Sequence, residues 1–194
     1  MKALSEMTSE ELWQLFPIFL VEHSEKWAAS YAEMEAFLNR IFAGCPIHRI
    51  SHIGSTAIQG IRAKDSVDIL VETDDVEGAA GLAVRNGFVR MSSGPQRVSL
   101  DRGYTPEGFA DKVYHLHIRQ PGDNDELYFR DYLNEHPEVA RAYETLKLGL
   151  WKKYEHNRYA YTGAKTEFIE RWTSETRRLY GKKRLISDFS GGTI

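Results

Sequence analysis

One stretch, HRISHIGSTAIQGIRAKDSVDILVET over residues 48–73, restricts this chain more than any other. Its end, SVDILVE, is apolar enough to be a central strand, yet it opens on an aspartate, Asp68. A charge among apolar neighbours is costly unless a cation, a metal or hydrogen-bond donors meet it. Before it, Gly54 permits a positive φ or a close backbone approach, and Ser55 and Thr56 follow with hydroxyls and backbone N–H groups. Such a turn can cradle a phosphate through its amides, with Arg62 and Lys64 in reach of an anionic ligand. The plainer alternative is an ordinary strand–turn–strand with Asp68 at a wet strand end.

A second constellation lies in KVYHLHIRQ, a strand pattern in which alternate residues share a face. His115 and His117 then point the same way, about 7 Å apart along the strand, where they can share a metal or flank an anion. A solvent-facing pair at a sheet edge is the competing reading. His52, just before the Gly-Ser turn, adds a third imidazole. In the C-terminal part, Lys147 and Lys165 each follow a tyrosine by four residues, so Tyr143 and Tyr161 can lie beside their stems. Arg130 and Asp131 can pair with other elements. Trp151 and Trp172 fall on apolar helical stripes and suit packing.

The remaining pattern gives an α+β (mixed α/β) organisation. TSEELWQLF predicts a short helix capped by Thr8 or Ser9, IFLVE a brief strand, and residues 24–42 a helix with Trp27, Tyr31, Met34, Leu38 and Ile41 on one face. A strand-rich middle follows, with a small-residue helix closed at Asn86-Gly87 and two strands joined by SGPQ. After PGDND come three helices, the last running from 161 to 181. The expectation is one domain over residues 1–181, sheet-rich from about 18 to 122 and helical from 123 to 181, with 182–194 a flexible tail.

Composition narrows the partners. A net charge of −3 speaks against broad nucleic-acid binding. The single cysteine, Cys45, forms no internal disulfide. With no signal-like N-terminus and no apolar membrane span, the expected setting is the cytoplasm, away from membranes.

Taken together, HIGSTAIQGIRAKDSVDILV, HLHI, YFRDYLNEHPEVARAYETLK and YTGAKTEFI resemble the GrpB family over roughly residues 18–170. The resemblance implies a nucleotidyltransferase-like fold of the polymerase-β type, a mixed sheet with packed helices and a helical C-terminal part. In that superfamily the Gly-Ser turn holds a nucleoside triphosphate and two alternating aspartates bind magnesium. A third carboxylate comes from a neighbouring strand. Gly54 and Ser55 match the turn and Asp68 the second aspartate. The first should stand at Ser66, and Asp65 next to it should face the other way. Gln59 replaces the family's usual proline, which implies a less rigid turn.

The resemblance thus implies a nucleotide-dependent transferase. Gly54, Ser55, Thr56, Lys64, Lys147 and Lys165 would hold the nucleotide. Asp68, His115 and His117 would be catalytic and metal-holding, with His52 and Arg130 behind them. The implied cofactor is a divalent metal (Mg, Mn or Zn), and the implied substrate is a nucleoside triphosphate or other phosphorylated small molecule. Two alternatives stand beside it: a non-catalytic nucleotide or phosphate binder, and a metal-dependent hydrolase built on the histidines.

Overall fold

The computed structural model describes residues 2–180; the expected flexible tail over 182–194 lies outside the described residues. Among these residues, five strands form one mixed sheet: β1 (Ile47–Ile53), β2 (Val67–Thr73), β3 (Val89–Gly94), β4 (Arg97–Thr105) and β5 (Gly108–Arg119), in the order β1-β2-β5-β4-β3. Only the β2–β5 pair is parallel. The apolar run around Asp68 therefore has a strand on each side.

Alternation along β2 separates two faces. Val67, Ile69 and Val71 join Leu116 and Ile118 of β5 in the main core. They pack against α2 (Lys26–Ile41) and α3 (Val76–Arg85), through Trp27, Met34 and Leu38 and through the small residues Ala79, Ala80 and Ala83. Those alanines let α3 lie close to the sheet. Asp68 and Leu70 point to the other face, where α4 (Asp125–Glu135), α5 (Pro137–Tyr154), α6 (Arg158–Gly163) and α7 (Thr166–Tyr180) gather. A second core there joins Ile58 and Ile61, from the loop after the Gly-Ser turn, to Phe129, Tyr132, Leu133 and Tyr143. The loop that carries the candidate phosphate cradle is thus pinned by its own isoleucines. At the far end of β2, buried Glu72 accepts hydrogen bonds from Gly122 N (2.6 Å) and Asn124 Nδ2 (3.0 Å) and pairs with Arg49 (3.1 Å), fixing the entry to α4.

Several boundaries differ from the sequence pattern. The helix α1 (Ser9–Leu15) forms as expected, with Thr8 Oγ1 accepting from Glu11 N. Residues 18–22 form no strand; their β-type pairing is one isolated bridge, Val21 to Ala63. The expected last helix breaks into α6 and α7 around Gly163. β5 starts at Gly108 because it continues a hairpin with β4 beyond the histidines, through Tyr104–Phe109 and Thr105–Gly108. In β1, a register shift between Ile47 and Arg49 brings Ile47 and Ile50 onto the α2 side together, while Ile53 faces the other way. That irregularity explains their imperfect alternation in the sequence. No helix of the described residues is long and apolar enough to cross a membrane.

Candidate functional site

The sheet register brings the candidate residues into a row. Asp68 of β2 pairs with His115 of β5, which pairs with Asp101 of β4. Neighbouring strands lie about 4.8 Å apart, so the two carboxylates flank the imidazole at roughly 10 Å from each other. His117 sits two residues on from His115, beside Leu70 and Ser99. This row forms one wall of a cleft of about 450 Å³; the Gly-Ser turn and side chains from α5, α6 and α7 close it.

Gly54 explains why the turn and the aspartate occur together. Its backbone has φ 73° and ψ −172°, a region that only glycine adopts readily. A Cβ at this position would also press on the Asp68 side chain, lying 2.9 Å from both its Cβ and its Cγ. The turn is therefore folded directly onto the carboxylate. Thr56 then locks it, donating its hydroxyl proton to the Ser66 carbonyl at 3.2 Å. Since that proton is taken, His52 Nε2, 3.0 Å from Thr56 Oγ1, is the donor of the second bond.

His52 accordingly stands apart from the other imidazoles. It faces α2 and stacks on Tyr31 at 4.9 Å, and burial pushes its pKa down to about 4. It touches the cleft only through Thr56. Arg130 reaches the same strand from α4, donating to the His52 carbonyl at 2.8 Å. Of the two basic residues after the turn, Lys64 lines the cleft, whereas Arg62 points away and pairs with Glu22 at 2.7 Å.

Asp68 Oδ1 lies 2.8 Å from His115 Nδ1 and 3.7 Å from His117 Nε2. Burial would push this carboxyl's pKa up, but the two imidazoles outweigh it and hold it well below the usual carboxylate range. His115 Nε2 meets the Tyr104 hydroxyl at 2.7 Å, and Arg158 Nη2 donates to that same oxygen at 2.5 Å. A continuous chain thus runs Asp68–His115–Tyr104–Arg158. In Asp101, burial raises the pKa, and neighbouring Asp68 adds to the rise.

Opposite the row, lysines converge. Burial, with help from cationic neighbours among them and Arg158, lowers the pKa of Lys64 to about 7, of Lys147 to about 7 and of Lys165 to about 8. Lys147, 1% exposed, donates to the Arg62 carbonyl and lies 4.8 Å from the centre of the Tyr143 ring. Lys165 lies 4.4 Å from the Tyr161 ring, as the four-residue spacing predicts. Ser55 faces the Tyr143 phenol across the cleft lining. One buried and two half-buried ammonium groups lining one cleft suit a multiply charged anion.

The divalent-metal expectation fares differently. Asp68, His115 and His117 are brought together, but among the described residues no group of three or more His, Cys, Asp or Glu side chains is placed to hold a metal ion. Both ring nitrogens of His115 are engaged, by Asp68 and by Tyr104. A ligand needs a lone pair aimed at the ion, so the triad as arranged does not fit a metal cage. Ser66, 7% exposed, contributes no carboxylate on the cleft side. Asp65 faces away and accepts the Trp27 indole N–H at 2.7 Å.

The family's sequence profile, described as "GrpB protein", matches residues 17–175. The chain belongs to the GrpB family. The glutamate-rich protein GrpB of Alkalihalophilus pseudofirmus is 35% identical over 170 residues, covering 81% of this chain and 95% of that one. The crystal structure of the conserved protein GrpB from Enterococcus faecalis superposes with a TM-score of 0.73 at 27% identity, over 84% of this chain and 99% of that chain. The Cid1 poly(U) polymerase superposes with a TM-score of 0.50 at 10% identity, over 75% of this chain and 45% of that one. At that identity the match concerns the fold alone: this GrpB-family chain has a nucleotidyltransferase-like α+β architecture.

The sequence alone did not point to Asp101 and Arg158, which line the cleft, or to Tyr104, which meets His115 from outside it. Asp101 shares an alternation phase with Ser99 in RVSLDRG, but the face it takes depends on the pairing of β4 with β5. Tyr104 and Arg158 carried no local signal; that same pairing and the placement of α6 put them there. The Gln59 departure also has a cause. Gln59 N donates to Asn134 Oδ1 at 2.9 Å, and Asn134 Nδ2 donates to the Ala57 carbonyl at 3.0 Å. A proline would lack the first donor. The turn is clamped from α4, which corrects the expectation of a looser one.

Proposed function

We propose that this GrpB-family protein binds a nucleoside triphosphate in the cleft and transfers its nucleotidyl group. The observation that carries the reading is the convergence of Lys64, Lys147, Lys165 and Arg158 on the Gly-Ser turn. The turn amides and Ser55 hold phosphate oxygens, and the lysines neutralise them as charge moves onto the departing pyrophosphate. Asp68 fixes His115 with Nδ1–H donating to it, leaving Nε2 as the proton-accepting nitrogen. An acceptor hydroxyl's proton reaches Nε2 through the Tyr104 hydroxyl, which shuttles one proton in and one out. The new oxygen–phosphorus bond forms as the bond to pyrophosphate breaks. No step is assigned to a metal.

The engagement of both His115 nitrogens also favours a second reading, a phosphate binder without turnover. Titration calorimetry with ATP and UTP, with and without magnesium, tests the binding; pyrophosphate release tests the transfer. Binding that Lys165→Met weakens at least tenfold, together with pyrophosphate release that Asp68→Asn abolishes, is the expected result. Binding with no release under any condition selects the second reading. No binding of either nucleotide refutes both.

A further inference from the structure

Beside the cleft lies a smaller pocket of about 210 Å³; Lys64, Ser66 and Arg158 belong to the walls of both. Its other side is made of rings. Phe16 stands edge-on to Tyr104 at 4.9 Å and to Phe109 at 5.0 Å, and Phe19 meets Phe109 at 6.0 Å. Phe16 and Ile18 are buried and anchor the segment after α1, whereas Phe19 and Phe109 stay 39% and 37% exposed at the rim. Large apolar rings held at an open pocket mouth are a recognition feature more than a packing one.

The pocket is also preformed. The Arg158 guanidinium lies 5.2 Å from the Tyr104 ring centre, and the Tyr104 hydroxyl is tied to His115, so the ring has no freedom to fill the space. Its charges balance: Lys64 and Arg158, on the wall shared with the cleft, are matched in number by Asp65 and Asp111 among the lining residues. An ionic occupant would gain no net attraction there, whereas a hydroxyl would find donors on the shared wall.

We propose that this pocket binds a second, uncharged small molecule bearing a planar aromatic ring and a hydroxyl, with the ring among Phe16, Phe19 and Phe109 and the hydroxyl toward Lys64 and Arg158. The site stands whether or not the neighbouring cleft binds a nucleotide.

Benzyl alcohol is the probe, followed through backbone amide shifts of the full chain by NMR. Saturable shifts are expected in residues 16–19 and 104–113. Cyclohexylmethanol, similar in size and more hydrophobic but without a planar ring, should bind about 2- to 12-fold more weakly, the range of aromatic-pair preferences. Phe19→Leu and Phe109→Leu keep apolar bulk at rim positions and should each weaken benzyl alcohol while leaving other amide positions unmoved. The proposal is overturned by shifts that do not saturate, by shifts centred elsewhere, by equal or tighter binding of cyclohexylmethanol, or by wild-type binding in both variants.

Discussion

Gly54→Ala isolates the closest contact of the site. Two costs add. The alanine must hold φ 73° and ψ −172°, which costs on the order of 1–3 kcal/mol for a residue with a side chain. Its Cβ must also lie 2.9 Å from Asp68 Cβ and Cγ, an overpacking cost of about 1–3 kcal/mol. The expected loss is about 2–6 kcal/mol, a large share of a domain's total stability. Urea denaturation followed by far-ultraviolet circular dichroism measures it. A double-mutant cycle with Asp68→Ala separates the costs, because removing the carboxylate relieves part of the clash and none of the backbone strain. The predicted coupling is about 1 kcal/mol or more in the relieving direction. A loss under 1 kcal/mol for Gly54→Ala would show that the turn relaxes freely. Zero coupling would show that the carboxylate does not press on it.

Other perturbations test separate parts of the structure. Gln59→Pro removes the donor to Asn134 and should destabilise by about 1 kcal/mol in the same assay; a stabilised variant would refute the clamp. Asp65→Ala leaves the nearly buried Trp27 indole N–H without its acceptor and should cost about 1–3 kcal/mol, with a change in tryptophan emission; an unchanged midpoint refutes that role. The lysines set a pH dependence. Lys147 has a folded pKa of about 7 against an ordinary 10.5, so between those values the unfolded chain binds more protons and stability rises with pH. Lys147→Met should stabilise the ligand-free protein at pH 7 and flatten that rise; an unchanged slope from pH 7 to 10 contradicts the assignment. ATP binding at pH 8 should take up protons as the lysines recharge, seen by calorimetry in buffers of different ionisation enthalpy; proton release would count against the lysine cradle.

How much of this was legible depended on the range of the interactions. The period-2 alternation that places His115 and His117 on one face is local, so the sequence alone carried it; bringing Asp68 beside them takes the β2–β5 pairing. Local too is the four-residue spacing that sets Lys147 and Lys165 on tyrosine rings. Asp65 could be placed on the wrong side for the cleft by the same logic, though its partner Trp27 could not be named. Asp101 and Arg158 depended on which strand pairs with which and on where α6 docks, and neither is written in a short window. The unbroken helix expected over 161–181 failed because the apolar stripe was followed past Gly163, where the chain turns. The metal expectation rested on residue types and spacing; their arrangement, with His115 engaged by both Asp68 and Tyr104, is not that of an ion cage.

The row Asp68–His115–Asp101 has a consequence for how the molecule assembles. Its first two members meet only through the parallel β2–β5 pairing, across an intervening helix and hairpin. Such long-range closure is entropically expensive and is a slow event in folding. The β3–β4 and β4–β5 hairpins can zip early, from neighbouring segments, without creating the row. Any signal specific to the Asp68–His115 contact therefore reports the last registration of the sheet, and a chain trapped before that step would carry nearly all of its secondary structure and none of its cleft.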